Sequence, residues 1–215
     1  ERESFRRKAG LPVALPAAMR YFPDAGQVLL RDRWTDDATY VTFDATRWGG
    51  GHCHLSRNSL QVHVRGRPIL VDPGWLTYEA SDPMCAHGKS TRAHNTLTLN
   101  GWNQSEADPS RTRCWTTAQA AAVSSDYEGG YWPGPYRWSF NEGKGAGMGG
   151  SHNRTMLWVR DRFIFIVDNF SRDPIVIPEP EDRKPALEIN WQFEAAPVEV
   201  DPVRRRVFTR YEGAN

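Results

Sequence analysis

Ten short apolar runs, most of them closed by Gly, Pro, Asn or Asp, dominate this chain and leave almost no stretch with the helical recurrence of apolar residues. The runs are Gln27 to Arg31, Thr39 to Asp44, Ser59 to Val64, Pro68 to Asp72, Asn95 to Leu99, Cys114 to Ala122, Thr155 to Val159, Phe163 to Asp168, Leu187 to Phe193 and Arg206 to Arg210. They are rich in Val, Ile, Thr and aromatic residues, which suit a pleated, half-buried surface. In Ser59 to Val64 the alternation is strict, so Leu60, Val62 and Val64 are expected to face a core and His63 the opposite side. Arg65-Gly66-Arg67-Pro68 and Arg160-Asp161-Arg162 read as hairpin connections. The pattern predicts an all-β chain, an antiparallel β-sandwich of about ten or more short strands with little helix. The one helical candidate is a short segment around Ser4 to Ala9, and the Gly-rich, aromatic stretch from Glu128 to Gly150 is expected to be a long surface loop.

Charge and cysteine usage narrow the function classes. Lys and Arg (27) nearly balance Asp and Glu (26), so the chain offers no strong field for nucleic acid or an anionic membrane. The exception is residues 1–20, where Arg2, Arg6, Arg7, Lys8 and Arg20 outnumber Glu1 and Glu3 and read as a basic linker ahead of a domain over 21–215. At 215 residues that domain is long enough to bury its own core. No run approaches the roughly 18 apolar residues of a membrane span, and no signal-peptide core is visible. The chain opens with Glu, as expected of a processed or cut fragment. Cys53, Cys85 and Cys114 are odd in number and irregularly spaced, which predicts free thiols and argues against a disulfide framework.

Chemistry concentrates around the histidines. His52 and His54 follow three glycines; Asp72 stands before a Pro-Gly pair and His94 after Thr91-Arg92-Ala93. If 52–54 form a strand, both imidazoles point to one face, with Asp72 and His94 at the ends of later runs that fold back beside them. Two His and one carboxylate suit zinc or another first-row divalent ion with an open coordination position. The competing reading has histidines bonded to turns and an Asp that closes the Pro-Gly turn.

The order of these pieces carries a resemblance. Phe22-Pro-Asp-Ala-Gly26, Phe43-Asp44, Gly-Gly-Gly-His52-Cys-His54, Gly66-Arg-Pro-Ile-Leu-Val-Asp72-Pro-Gly74, Ser90-Thr-Arg-Ala-His94-Asn-Thr and His152-Asn-Arg154 occur in a series that resembles the C-terminal β-domain of the heparinase II/III-like polysaccharide lyases, from about Tyr21 to Phe170. The resemblance implies a missing N-terminal helical toroid from the same parent chain, a substrate cleft between toroid and β-domain, and a periplasmic or secreted enzyme. It implies that His54, Asp72 and His94 hold a divalent metal, usually zinc, as a structural pin, and that His52 points toward the cleft. One departure is that Cys53 stands between the histidines and Ser56-Arg57-Asn58 follows, which changes the surroundings of His52 and leaves the triad intact.

The implied reaction is β-elimination on a uronic-acid-containing polysaccharide, with Tyr and His as the expected acid and base. His52 is the first candidate on this chain and Tyr78 the second; Arg92, Trp132 and Trp138 are candidate substrate contacts. Arg154 is a further candidate for clamping a carboxylate, while most of the nine tryptophans, Trp158 and Trp191 among them, are expected in the core. The isolated chain is expected to be inactive, since the toroid supplies the decisive Tyr. Two alternatives remain: a non-catalytic carbohydrate-binding or scaffold module, and a cupin-type metal enzyme. The cupin is disfavoured because Arg57 and Asn58 occupy the places where its Glu is expected.

Overall fold

Alternation of inward and outward side chains along the strands builds two facing antiparallel sheets. The computed structural model describes residues 18–132, 150–171, 186–194 and 198–209. In chain order the first strands are β1 (Met19–Phe22), β2 (Gln27–Arg31), β3 (Tyr40–Asp44), β4 (Ser59–Val64) and β5 (Arg67–Leu70), followed by a short helix α1 (Pro83–Lys89) and a 3-10 turn (Thr91–Ala93). Then come β6 (Leu97–Leu99), β7 (Asn103–Gln104), β8 (Arg111–Thr116), β9 (Ala120–Tyr127), β10 (Tyr131–Trp132), β11 (Ser151–Val159) and β12 (Phe163–Ser171). The last are β13 (Leu187–Ile189), β14 (Val198–Asp201) and β15 (Arg206–Thr209). One sheet runs β1-β2-β3-β4-β5 and the other β12-β11-β9-β8, with β10-β7, β13-β6 and β14-β15 as two-stranded additions.

The two large sheets share one core. Val28, Leu30, Val41, Phe43, Leu60 and Val62 from the first meet Ala121, Val123, Met156 and Trp158 from the second, all of them buried. Burial of a Val, Leu, Phe or Met side chain contributes about 1.5–3 kcal/mol, so this shared layer is what joins the sheets. The predicted antiparallel sandwich is the observed architecture. Along β11 the inward face changes character: Met156 and Trp158 are apolar, while His152 and Arg154, on the same face, are fully buried and polar.

Several local expectations hold, for identifiable reasons. Arg65 and Gly66 have φ of 51° and 77°, the pair of left-handed residues that a two-residue hairpin between β4 and β5 demands. Asp161, with φ of 58°, makes the corresponding turn between β11 and β12. The three cysteines are free.

Others are corrected. Cys114 to Ala122 is a hairpin of β8 and β9, because the Thr117 hydroxyl accepts the backbone N–H groups of Gln119 and Ala120 and turns the chain without Gly or Pro. Val64 is 38% exposed at the end of β4, past a register shift at Val62/His63 and still paired with Arg67 beside the hairpin. Of the described tryptophans only Trp158 is fully buried; Trp191 is half-buried and packs against the shared core as expected, while Trp115 on β8 is 54% exposed. Helix α1 was not foreseen: Asp82 accepts the Met84 N–H at 2.8 Å as N-cap and Pro83 opens the first turn, but seven residues are too few to show a helical period. The Ser4 to Ala9 segment lies outside the described residues, as does most of the Gly-rich loop.

Candidate metal centre

His54, Asp72 and His94 come from three connections that meet beside β3 and β4. His52 and His54 lie in the loop between those strands, with Gly50 at φ 103°, and so do not form the strand that the period-two reading supposed. Asp72 follows β5 in an extended segment, and its own Oδ1 accepts the Gly74 N–H at 2.9 Å, closing the Pro73-Gly74 turn. His94 leaves the 3-10 turn and is fully buried. One ligand-type atom from each of the three residues lies within 4.8 Å of the others.

The donor chemistry fits a divalent cation. His94 Nδ1 stands 2.7 Å from Asp72 Oδ2, two lone-pair-bearing atoms that must share a proton or a cation. His94 Nε2 is buried with no hydrogen-bond partner. The His54 and His94 ring centroids are 5.2 Å apart. Burial, reinforced by His94 and Lys89, pushes His54 down to about 4 against the pull of Asp72, so its imidazole is neutral and able to donate a lone pair at neutral pH. Asp72 is raised by burial but lowered more by its His94 hydrogen bond and neighbouring charge, so it stays a carboxylate. Two imidazoles and a carboxylate in this number are a set that zinc accepts with a position left open.

The triad sits in a cleft of about 380 Å³ that also takes in His52, Cys53, Asp44, Gln27, Thr42 and Gln61. His52 is exposed at this cleft, its ring 5.4 Å from Trp75. Trp75 in turn stacks on Tyr78 at 4.6 Å and carries the Lys89 ammonium 4.2 Å from its ring centroid. Lys89 donates to the Gly51 carbonyl, so α1 holds the Gly-rich loop that presents His52. Tyr78 is 70% exposed, on the outside of this aromatic row.

The remaining sequence candidates are dispersed. Arg92 is exposed and donates to Glu188 Oε2 at 3.0 Å. Trp132 is 40% exposed at the end of β10, and Trp138 lies outside the described residues. Arg154 does clamp a carboxylate, but it is that of Asp168 in its own chain, through Nε at 2.7 Å and Nη2 at 3.1 Å. His63 stacks on Tyr40 at 4.1 Å, away from the triad. Trp75, Lys89 and Asn95 were missed; only Asn95, next to His94 in the motif, had a sequence signal.

The model of the heparinase II/III-like C-terminal domain matches residues 14–200. This chain belongs to that family. Among solved structures it is similar to the heparan sulfate lyase HepC from Pedobacter heparinus, with a TM-score of 0.74 and 20% identity over 98% of this chain and 30% of that one. The heparinase III BT4657 gene product, with methylated lysines, gives 0.74 and 19% over 93% and 27%. A further heparinase III gives 0.69 and 18% over 93% and 28%. At such identities the likeness is one of fold, and the chain spans about 30% of the length of the heparan sulfate lyase. Comparison with curated proteins finds no match. The chain is thus a heparinase-like C-terminal domain of a polysaccharide lyase family, and the cupin alternative falls. No helix among the described residues is long and apolar enough to cross a membrane.

Proposed function

We propose that this chain is the metal-bearing β-domain of a lyase that cleaves a uronic-acid-containing polysaccharide by β-elimination. The observation that carries the reading is the convergence of His54, Asp72 and His94 within 4.8 Å in a cleft that His52 also lines. When bound there, a divalent ion, zinc by its donor set, supplies a fixed charge that holds the three loops in place.

The chain's own groups divide the remaining work. Elimination removes the C5 proton of the uronate, breaks the C4–O bond, protonates the departing oxygen and leaves a C4–C5 double bond. His52, exposed at the cleft, is the first candidate to give or take a proton, a role its position at the cleft supports. Trp75 with Tyr78 offers an aromatic surface for a pyranose, and Tyr78 is the second candidate for proton transfer. Gln27, Thr42 and Gln61 offer hydrogen bonds to sugar hydroxyls along the same cleft. Among the described residues its lining holds no Lys or Arg, and the uronate carboxylate is to be neutralised by groups from the helical part of the parent enzyme. An extracellular polymer as substrate puts the enzyme in the periplasm or outside the cell.

The test is turnover of heparan-type, alginate and other uronate polymers by the parent enzyme, followed by near-ultraviolet absorbance of the unsaturated product. The parent enzyme is expected to be active and this chain alone inactive; a parent that cleaves no uronate polymer removes the lyase reading.

A further inference from the structure

The side chains of the candidate metal centre hang from connections, and among the described residues no strand ladder joins those connections at His54, Asp72 and His94 themselves. Something beneath them sets their spacing. We propose that Arg154 and Asn95 are the positioning residues of this centre, fixing the three loops to one another from inside the sandwich. The proposal rests on the metal reading given above for what the spacing serves, but its geometry stands without an ion.

Arg154 reaches from β11 in the opposite sheet. Its Nη1 donates to two carbonyls, Asn58 O at 2.8 Å and Asn95 O, the first in the loop that carries His54 and the second adjacent to His94. A guanidinium is a rigid planar fork, so one terminal nitrogen shared by two carbonyls sets their separation. The fork is itself fixed from behind, since Asp168 accepts Nε and Nη2 and is braced by His152 Nε2 at 2.8 Å. Trp191 lies 5.2 Å from the guanidinium and limits its tilt.

Asn95 completes the triangle. Its side-chain Nδ2 donates to Leu60 O at 2.9 Å and Val71 O at 2.8 Å, and its Oδ1 accepts the Gln192 N–H at 2.5 Å. Val71 precedes Asp72, so the amide ties the His94 connection to the Asp72 connection. The His54 loop is held in the same way: Thr96 Oγ1 and Gln104 Nε2 both donate to Arg57 O, at 2.8 and 2.9 Å. Arg154 and Asn95 are both 0% exposed. Apolar side chains fill the same face of β11 at Met156 and Trp158, and burying polar groups there is costly by comparison. What the polar network supplies, and packing does not, is direction and distance.

The experiment uses the intact protein that carries this chain. Zn2+ affinity is measured by competition with a chromophoric chelator, and ligand geometry by the visible spectrum of Co2+ bound instead. Arg154→Lys keeps a cation beside Asp168 but cannot also span both carbonyls; Asn95→Ala removes the tie to Val71. Each is expected to weaken Zn2+ binding about 10- to 100-fold and to change the Co2+ spectrum. Leu30→Ala, a core truncation away from the triad, controls for general loss of stability and is expected to bind as the wild type does. Crystal structures of chelator-treated wild type and Arg154→Lys give a readout without metal: the His54 to His94 centroid separation, 5.2 Å here, is expected to shift. If the wild type binds no Zn2+ and the separation still shifts, the metal reading fails and the positioning role stands. Unchanged affinity and separation in Arg154→Lys, or an equal affinity loss in Leu30→Ala, overturns it. Should Asn95→Ala not fold, Arg154→Lys decides alone.

Discussion

Asp168→Ala tests the buried polar end of the sandwich most directly. The Asp168 carboxylate accepts Arg154 Nε at 2.7 Å, Arg154 Nη2 at 3.1 Å and His152 Nε2 at 2.8 Å, and its side chain is 9% exposed. Truncation strands a fully buried guanidinium whose remaining acceptors among the described residues are the Asn58 and Asn95 carbonyls. Removing one partner of a buried pair costs about 3–5 kcal/mol. Proton linkage gives a second measure. Burial raises the carboxyl, but hydrogen bonds from His152 and Arg154 outweigh it and hold Asp168 down to about 2. Against an ordinary value near 3.8 that difference corresponds to ~2 kcal/mol. The linkage figure is smaller because it counts only the two protonation states of Asp168, not the cost of leaving Arg154 unpaired.

The sign follows from the lowered value. The unfolded chain binds the proton first, so this stability is complete above pH 4 or so and is lost as pH falls toward about 2. Urea unfolding followed by tryptophan fluorescence at several pH values reads both effects. The variant should lose about 3–5 kcal/mol at neutral pH and show a shallower decline between about pH 4 and 2. Asp37→Ala, at an exposed carboxylate bonded to Thr35, serves as the control. A loss no larger than in that control, or an acid limb as steep as in wild type, would refute the reasoning.

Further outcomes are expected. Protein purified without chelator should contain about one zinc-like ion per chain, and His94→Ala or His54→Ala should abolish it, as elemental analysis will read. Chelation should lower the melting temperature, because ligands on separate loops are tied by the ion; a melting curve indifferent to chelator would make the ion adventitious. In the parent enzyme, His52→Ala should slow elimination about 10²- to 10⁴-fold with metal content unchanged, and an unaltered rate would strip His52 of its role. Gly26→Ala should cost about 2 kcal/mol or more in chemical denaturation, since φ is 67° there and a methyl group would run into the Ala45 carbonyl.

The sequence alone determined the strand-rich character, the antiparallel sandwich and the three residues of the candidate centre. Those readings rest on local physics: alternation at period two, turn chemistry at Arg65-Gly66 and Asp161, and a motif series in which order carries the information. Boundaries failed where a local signal was weak or borrowed, as at Thr117, whose hydroxyl turns the chain in a run that reads as continuous strand. Whether the His52 to His54 segment is strand or loop was not legible in the sequence, because three glycines permit a loop as readily as a strand. Only the tertiary structure decided that Arg154 is an internal brace and not a surface clamp. Its partner Asn58 O is 96 positions away in the chain, and no periodicity reports on a hydrogen bond at that distance. Convergence of His54, Asp72 and His94 is likewise a property of three loops packed over a buried polar layer, which exists only once both sheets have closed on each other.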